Sequence, residues 1–188
     1  MIRASRCGGH IAASIAILLL SSSAHAHADG CSFESLGEGR VAAVIDARTF
    51  RLDDGREVRL AGIVPAVADG ARATAALSAI ISGRDVTLHG EDDAPDRYGR
   101  QPAFAFLAGS ETPVQSELLR RGEALVSTEV IDKGCAAGLV AAEAEARRAK
   151  YGTWADPAAI THAESPGDML AGLGRFTVVD GKVLSVRQ

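Results

Sequence analysis

Aromatic side chains make up only 4% of this 188-residue chain, with one Trp and two Tyr. Binding of single-stranded nucleic acid without sequence preference relies on stacking bases on aromatic faces, so that mode has little to work with. A surplus of positive charge is also missing: 20 Lys plus Arg stand against 24 Asp plus Glu, a net charge of −4. Long-range attraction for a polyanion is thereby excluded, and any phosphate binding must come from a local cluster. Cysteine is scarce, with Cys7, Cys31 and Cys135 alone and no histidine at ligand spacing, which argues against a zinc site. No serine lies in a nucleophile-elbow string, and neither repeats nor long low-complexity segments occur. The one notable apolar run, Ile11 to Leu20, is ten residues long. A membrane-spanning helix needs about 20.

That run follows Arg3 and Arg6 and leads into Ser21-Ser22-Ser23 and Ala24-His25-Ala26-His27-Ala28. A basic start, a short apolar stretch and small residues at the exit make a secretory signal peptide over residues 1–28, with cleavage preferred after Ala28 over Ala26. A secreted or periplasmic location follows, with no membrane span after cleavage. Loss of Arg3 and Arg6 leaves 18 basic against 24 acidic side chains, a net charge of −6. Cys7 leaves with the signal, so Cys31 and Cys135 remain as a pair in an oxidising compartment. A disulfide between them would close a loop of about 100 residues, for which chain entropy gives about 4–5 kcal/mol less any native strain. The other option is two buried or free thiols.

The rest of the chain mixes strands and helices. Gly39 to Ile45 and Thr49 to Leu52 alternate apolar and polar residues, Asp53-Asp54-Gly55 signals a tight turn, and Glu57 to Ile63 alternates again. Apolar residues at helical spacing from Ala71 to Ile81 end at Gly83. Strands at Asp85 to His89 and Pro102 to Leu107 flank a polar loop, Glu91 to Arg100. Glu111 to Arg121 is amphipathic and ends at Gly122, and Leu139 to Lys150 is a third helix stopping at Tyr151-Gly152. Periodicity alone gives an α+β domain with a small sheet. Beyond Trp154, Asp156-Pro157 and Ser165-Pro166-Gly167 break the pattern, so 156–174 reads as a linker. Arg175 to Val179 and Lys182 to Val186 then read as a β-hairpin turning at Asp180-Gly181, within residues 175–188. A lone hairpin is marginal in water. It is expected to pair with the sheet of the preceding domain, to meet a protein partner or, the preferred expectation, to open a second small β domain.

Three strings occur in fixed order: Val44-Ile45-Asp46-Ala47-Arg48-Thr49, Gly55-Arg56-Glu57-Val58-Arg59-Leu60-Ala61-Gly62-Ile63 and Asp96-Arg97-Tyr98-Gly99-Arg100. Their order and spacing resemble the staphylococcal nuclease (thermonuclease) family over roughly Gly39 to Trp154. The resemblance implies a five-stranded OB-fold barrel with about three helices over 39–155, preceded by a segment 29–38 that carries Cys31. It also implies a site in which a calcium ion, two arginines and a general base surround a phosphodiester. Arg59 matches the first catalytic arginine and Arg100 the second, and a guanidinium fork grips phosphate bidentately. Tyr98 matches a tyrosine beside the bound nucleotide. Asp46 matches the first aspartate of the family's Asp-Gly-Asp-Thr string.

The departures are as specific. Arg48 stands where that string has a ligand aspartate. Ile63-Val64-Pro65-Ala66-Val67 replaces the family's Ile-Asp-Thr-Pro-Glu, which puts Val64 in place of the other ligand and Ala66 or Val67 in place of the general-base glutamate. Calcium needs several oxygen ligands, and Asp46 is the only matching acid. No metal or other cofactor is therefore expected, calcium being implied only if the site is active. Asp69 and Glu57 are the nearest acids for a rearranged site, and Glu57 shares the strand face of Arg59, which also suits it as that arginine's partner.

What remains is Arg48, Arg59 and Arg100, with Tyr98, as a phosphate or nucleotide site. Alternatively these arginines pair with Asp46, Glu57 and Asp96 as a structural network, in which each exposed pair is worth about 0–1 kcal/mol. The family's nucleotide-stacking tyrosines have no counterpart in Val126-Ser127-Thr128-Glu129-Val130. His89 and His162 lack ligand partners, His25 and His27 lie at the cleaved end, and Trp154 with Tyr151 reads as a hydrophobic lid on the third helix. The expected function is a phosphate or nucleic-acid binding or interaction module without ordinary calcium-dependent nuclease activity. The alternatives are a nuclease with a rearranged acid set and a structural envelope domain.

Overall fold

A computed structural model describes Cys31 and residues 33–66, 70–129, 132–173 and 177–186. The expected signal peptide and Val67, Asp69, Val130 and Arg175 lie outside the described residues. Strand β1 (Glu34–Asp46) is long enough to serve two neighbours. Its first half pairs with β5 (Asp85–Gly90) and its second half with β2 (Thr49–Leu52), both antiparallel. Gly55, at φ +91°, turns β2 into β3 (Glu57–Leu60), since only glycine takes that backbone conformation without strain. Strand β3 then pairs parallel with β6 (Gln101–Leu107), and β6 pairs antiparallel with β5, which closes a five-stranded barrel in the order β1-β2-β3-β6-β5. Phe50, Leu52, Val58, Leu60, Val86 and Leu88 alternate into its core and are almost fully buried.

The alternation from Glu57 to Ile63 is not one strand. Gly62, at φ +75°, ends the ladder after Leu60, and β4 (Ile63–Pro65) pairs instead with β7 (Ala124–Val126), a strand that sequence reading leaves unassigned. Three helices match expectation with shifted ends. Helix α1 spans Gly70–Ile81. Helix α2 begins at Val114, because Pro113 disfavours helical backbone in the residue before it and sits extended as the cap. Helix α3 (Lys133–Ala149) begins six residues earlier than its apolar pattern, since the Asp132 side chain caps the Cys135 N–H at 2.7 Å. Its first turn also carries Cys135, which is disulfide-bonded to Cys31, 104 positions away, both buried.

Beyond Trp154 come two short 3-10 turns, then β8 (Ile160–His162), a fourth helix α4 (Pro166–Ala171) and β9 (Val178–Asp180). The additional C-terminal strands are present, but β9 does not form a hairpin across Asp180-Gly181. It pairs parallel with β8, and residues 181–186 form no strand. A parallel pair needs a crossover of a dozen or so residues, usually helical, and the segment read as linker supplies it through α4. Among the described residues no helix is long and apolar enough to cross a membrane.

Candidate functional site

The barrel's hydrogen-bond register brings the arginines together. Arg48 lies in the two-residue turn between β1 and β2, and its carbonyl accepts the Leu60 N–H at 2.8 Å, which fixes it beside Arg59. Arg59 faces Thr49 on β2 and Pro102 on β6, two residues after Arg100. Arg48 lies close enough to feel the guanidinium groups of both Arg59 and Arg100. Burial lowers the Arg48 pKa first, Arg59 lowers it further and Arg100 adds to this, while Asp46 and Glu129 offset part of the effect. The Arg48 Nη1 has only a long hydrogen bond, 3.4 Å to the Ile63 carbonyl. Arg59 is half-buried, and its Nε is buried with no hydrogen-bond partner among the described residues. It lines a cavity of about 350 Å³ with Ala61, Gly62, Gly90, Glu91, Asp92, Pro102, Phe104 and Glu129. The fully buried Gln115 of α2 holds this wall, its Nε2 donating to the carbonyls of Ala61 at 3.2 Å and Ala103 at 3.0 Å.

Arg100 is held differently. The Asp96 Oδ1 accepts the N–H groups of Tyr98 at 2.9 Å and Arg100 at 3.1 Å, and Oδ2 accepts Arg100 Nε at 3.0 Å and Nη2 at 2.8 Å. The Arg100 side chain, helped by these backbone N–H groups, holds the Asp96 carboxyl down at about 2, and Asp96 raises Arg100 in return. Tyr98 is 66% exposed, with the guanidinium groups of Arg97 and Arg100 each 4.9 Å from its ring centre.

The acids do not sit as the sequence suggests. Glu57 shares the strand face of Arg59, but its ion pair, at 3.9 Å, is with Arg51 directly across the ladder. Asp46 is exposed, and its Oδ1 accepts the backbone N–H of Arg48 at 2.8 Å. Val64 packs against the cluster of Leu125, Ala146 and Trp154, and Ala66 is buried. Glu129 is the acid that sequence reasoning passes over: it lines the cavity beside Arg59 and acts electrostatically on Arg48. In the sequence it shows only as a carboxylate within Val126-Ser127-Thr128-Glu129-Val130, with no local motif around it. Of the proposed lid, Trp154 is buried, with Arg147 4.2 Å over its ring, while Tyr151 is 60% exposed. The His89 Nδ1 is hydrogen-bonded to the Phe33 carbonyl at 2.9 Å, and His162 is exposed. A second cavity, of about 650 Å³, lies between Leu125 and the β8–α4–β9 appendage and contains none of these arginines.

A closed five-stranded barrel with Arg59 on β3 and Arg100 just before the adjoining β6 has the layout of a nuclease-type OB-fold. The family model for staphylococcal nuclease homologues matches residues 57–156, just over half of the chain, and the chain belongs to that family. The matched segment includes Arg59 and Arg100 and leaves out Asp46 and Arg48. No curated protein matches the chain.

The family implies calcium, and the donors here do not fit it. A hard cation needs several oxygens at once. The two positions that the sequence resemblance assigns to metal ligands carry a guanidinium at Arg48 and an isopropyl group at Val64, which packs against a hydrophobic cluster. Among the described residues no group of three or more His, Cys, Asp or Glu is placed to hold a metal ion.

Proposed function

We propose that this protein is an exported binding module that holds the phosphate of a nucleotide or nucleic acid on Arg59 and Arg48, without the calcium-dependent cleavage of its family. The observation that carries this reading is the Arg59 guanidinium, which has a buried, unpartnered Nε beside a second cation and an open cavity. A buried N–H without a partner is unfavourable by about 1–3 kcal/mol, and a phosphate oxygen would satisfy it. Replacing a ligand aspartate with Arg48 changes the local charge by two units, which repels a cation and attracts an anion. Tyr98 is exposed beside Arg100, where a nucleoside could lie against its ring. Export is supported by the residue pattern of positions 1–28 and by a disulfide, a bond that persists in oxidising compartments.

A second reading, a structural envelope domain, draws on Arg100, which Asp96 already neutralises. Titration calorimetry with a nucleoside 3′,5′-bisphosphate, run in EDTA and in calcium beside a DNA-cleavage assay, separates these readings. Calcium-independent binding, weakened about tenfold or more by Arg59→Ala and by Arg48→Gln, is the expected result, since each charge-assisted contact is worth about 1.5–3 kcal/mol. Calcium-dependent cleavage would overturn it, and no binding at all would leave the structural reading.

A further inference from the structure

The cavity beside Arg59 is not uniformly cationic. Three acidic residues, Glu91, Asp92 and Glu129, line it together with Phe104. Asp92 accepts the Ala94 N–H at 3.0 Å, whereas among the described residues neither the Glu91 nor the Glu129 carboxylate has a hydrogen-bond or ion-pair partner. At about 350 Å³ the cavity lies at the small end of ligand sites, which span roughly 300–1,000 Å³. A bare phosphate on Arg59 would face these acids across a short gap, anion against anion. A polynucleotide strand would set several more phosphates against them. A ligand with one phosphate and one N–H-donating or cationic group matches both ends of the wall, because charge-assisted hydrogen bonds form at each.

Resting on the phosphate-site reading above, we propose that this cavity selects small phosphate esters that carry an amine: the phosphate sits on Arg59, and the amine meets the carboxylates of Glu91, Asp92 and Glu129.

Calorimetry in EDTA on the full oxidised chain, comparing phosphoethanolamine with ethyl phosphate, tests this. The two differ by one ammonium group. Phosphoethanolamine is expected to bind about tenfold tighter, as one charge-assisted contact implies. In the Glu129→Gln variant, and in Glu91→Gln combined with Asp92→Asn, that preference falls towards one while ethyl phosphate binds at least as well. Equal affinities in the unaltered protein overturn the selectivity and leave the phosphate site standing. Binding of neither ester overturns both. Arms with CMP, whose cytosine carries an amino group, and with phosphatidylethanolamine vesicles show whether a nucleotide or a lipid headgroup supplies this chemistry, and tighter binding of either than of ethyl phosphate supports the proposal.

Discussion

Asp96 accepts four hydrogen bonds from two residues of its own loop, and these hold its carboxyl at about 2, below the ordinary 3.8. The sign follows from linkage: a depressed carboxyl pKa stabilises the fold above about pH 4, and that contribution is lost as pH falls towards about 2. Asp96→Asn should therefore flatten the acid limb of a denaturation-against-pH curve between pH 4 and 2, while the Cys31–Cys135 and barrel contributions stay unchanged. A limb as steep as in the unaltered protein would show that other carboxyls set it. This cluster was legible because its partners lie four positions apart within one turn, where local geometry decides the contact. Glu57 was misread at the same scale. The strand period correctly placed it on the face of Arg59, but Arg51 is the residue directly opposite it across the ladder. Glu129 lay beyond reach, since its neighbours Arg48 and Arg59 come from a turn and a strand far earlier in the chain.

Among the elements, α3 fastens β7 through a side chain and the chain start through a covalent bond. The Glu143 carboxylate, buried, accepts the Val126 N–H of β7 at 2.6 Å and pairs with Arg147 at 2.8 Å. Cys135 ties the first turn of the same helix to Cys31, three positions ahead of β1. Replacing both cysteines by serine opens a loop of 104 positions, for which the chain-entropy model gives about 4–5 kcal/mol. Urea denaturation should show a loss of about 2–5 kcal/mol, matched by reduction of the unaltered protein, and a loss under about 1 kcal/mol would mean that α3 stays docked without the bond. Helix and strand identities were readable from periodicity, and their ends were not. Pro113 delays α2 and Asp132 advances α3, both through backbone effects that an apolar pattern does not register. Strands β4 and β7 escaped notice because three-residue strands carry too little alternation to show a period.

For the whole molecule, the net charge of −4 sets the long-range field against any polyanion, so binding depends on the few cations at one end of the barrel. With Arg100 engaged by Asp96, two arginines remain to displace counterions from a bound strand. Oligonucleotide affinity measured by fluorescence anisotropy should then fall with salt at a log–log slope no steeper than about −1.5, given about −0.7 per neutralised phosphate on single strands. A slope near −3 or beyond would reveal a phosphate track elsewhere on the surface. Charge, cysteine number and the order of most strands and helices all follow from residue identity and local spacing. These properties depend on composition or on neighbours within a few positions. The pairing of β8 with β9 in place of a hairpin, the placing of Arg48 beside Arg59, the burial of the Arg59 Nε and the acid-lined cavity do not follow in that way. They arise from barrel closure and from a helical crossover, where strands distant in the chain are brought into register and the low-dielectric interior then decides which charges are partnered.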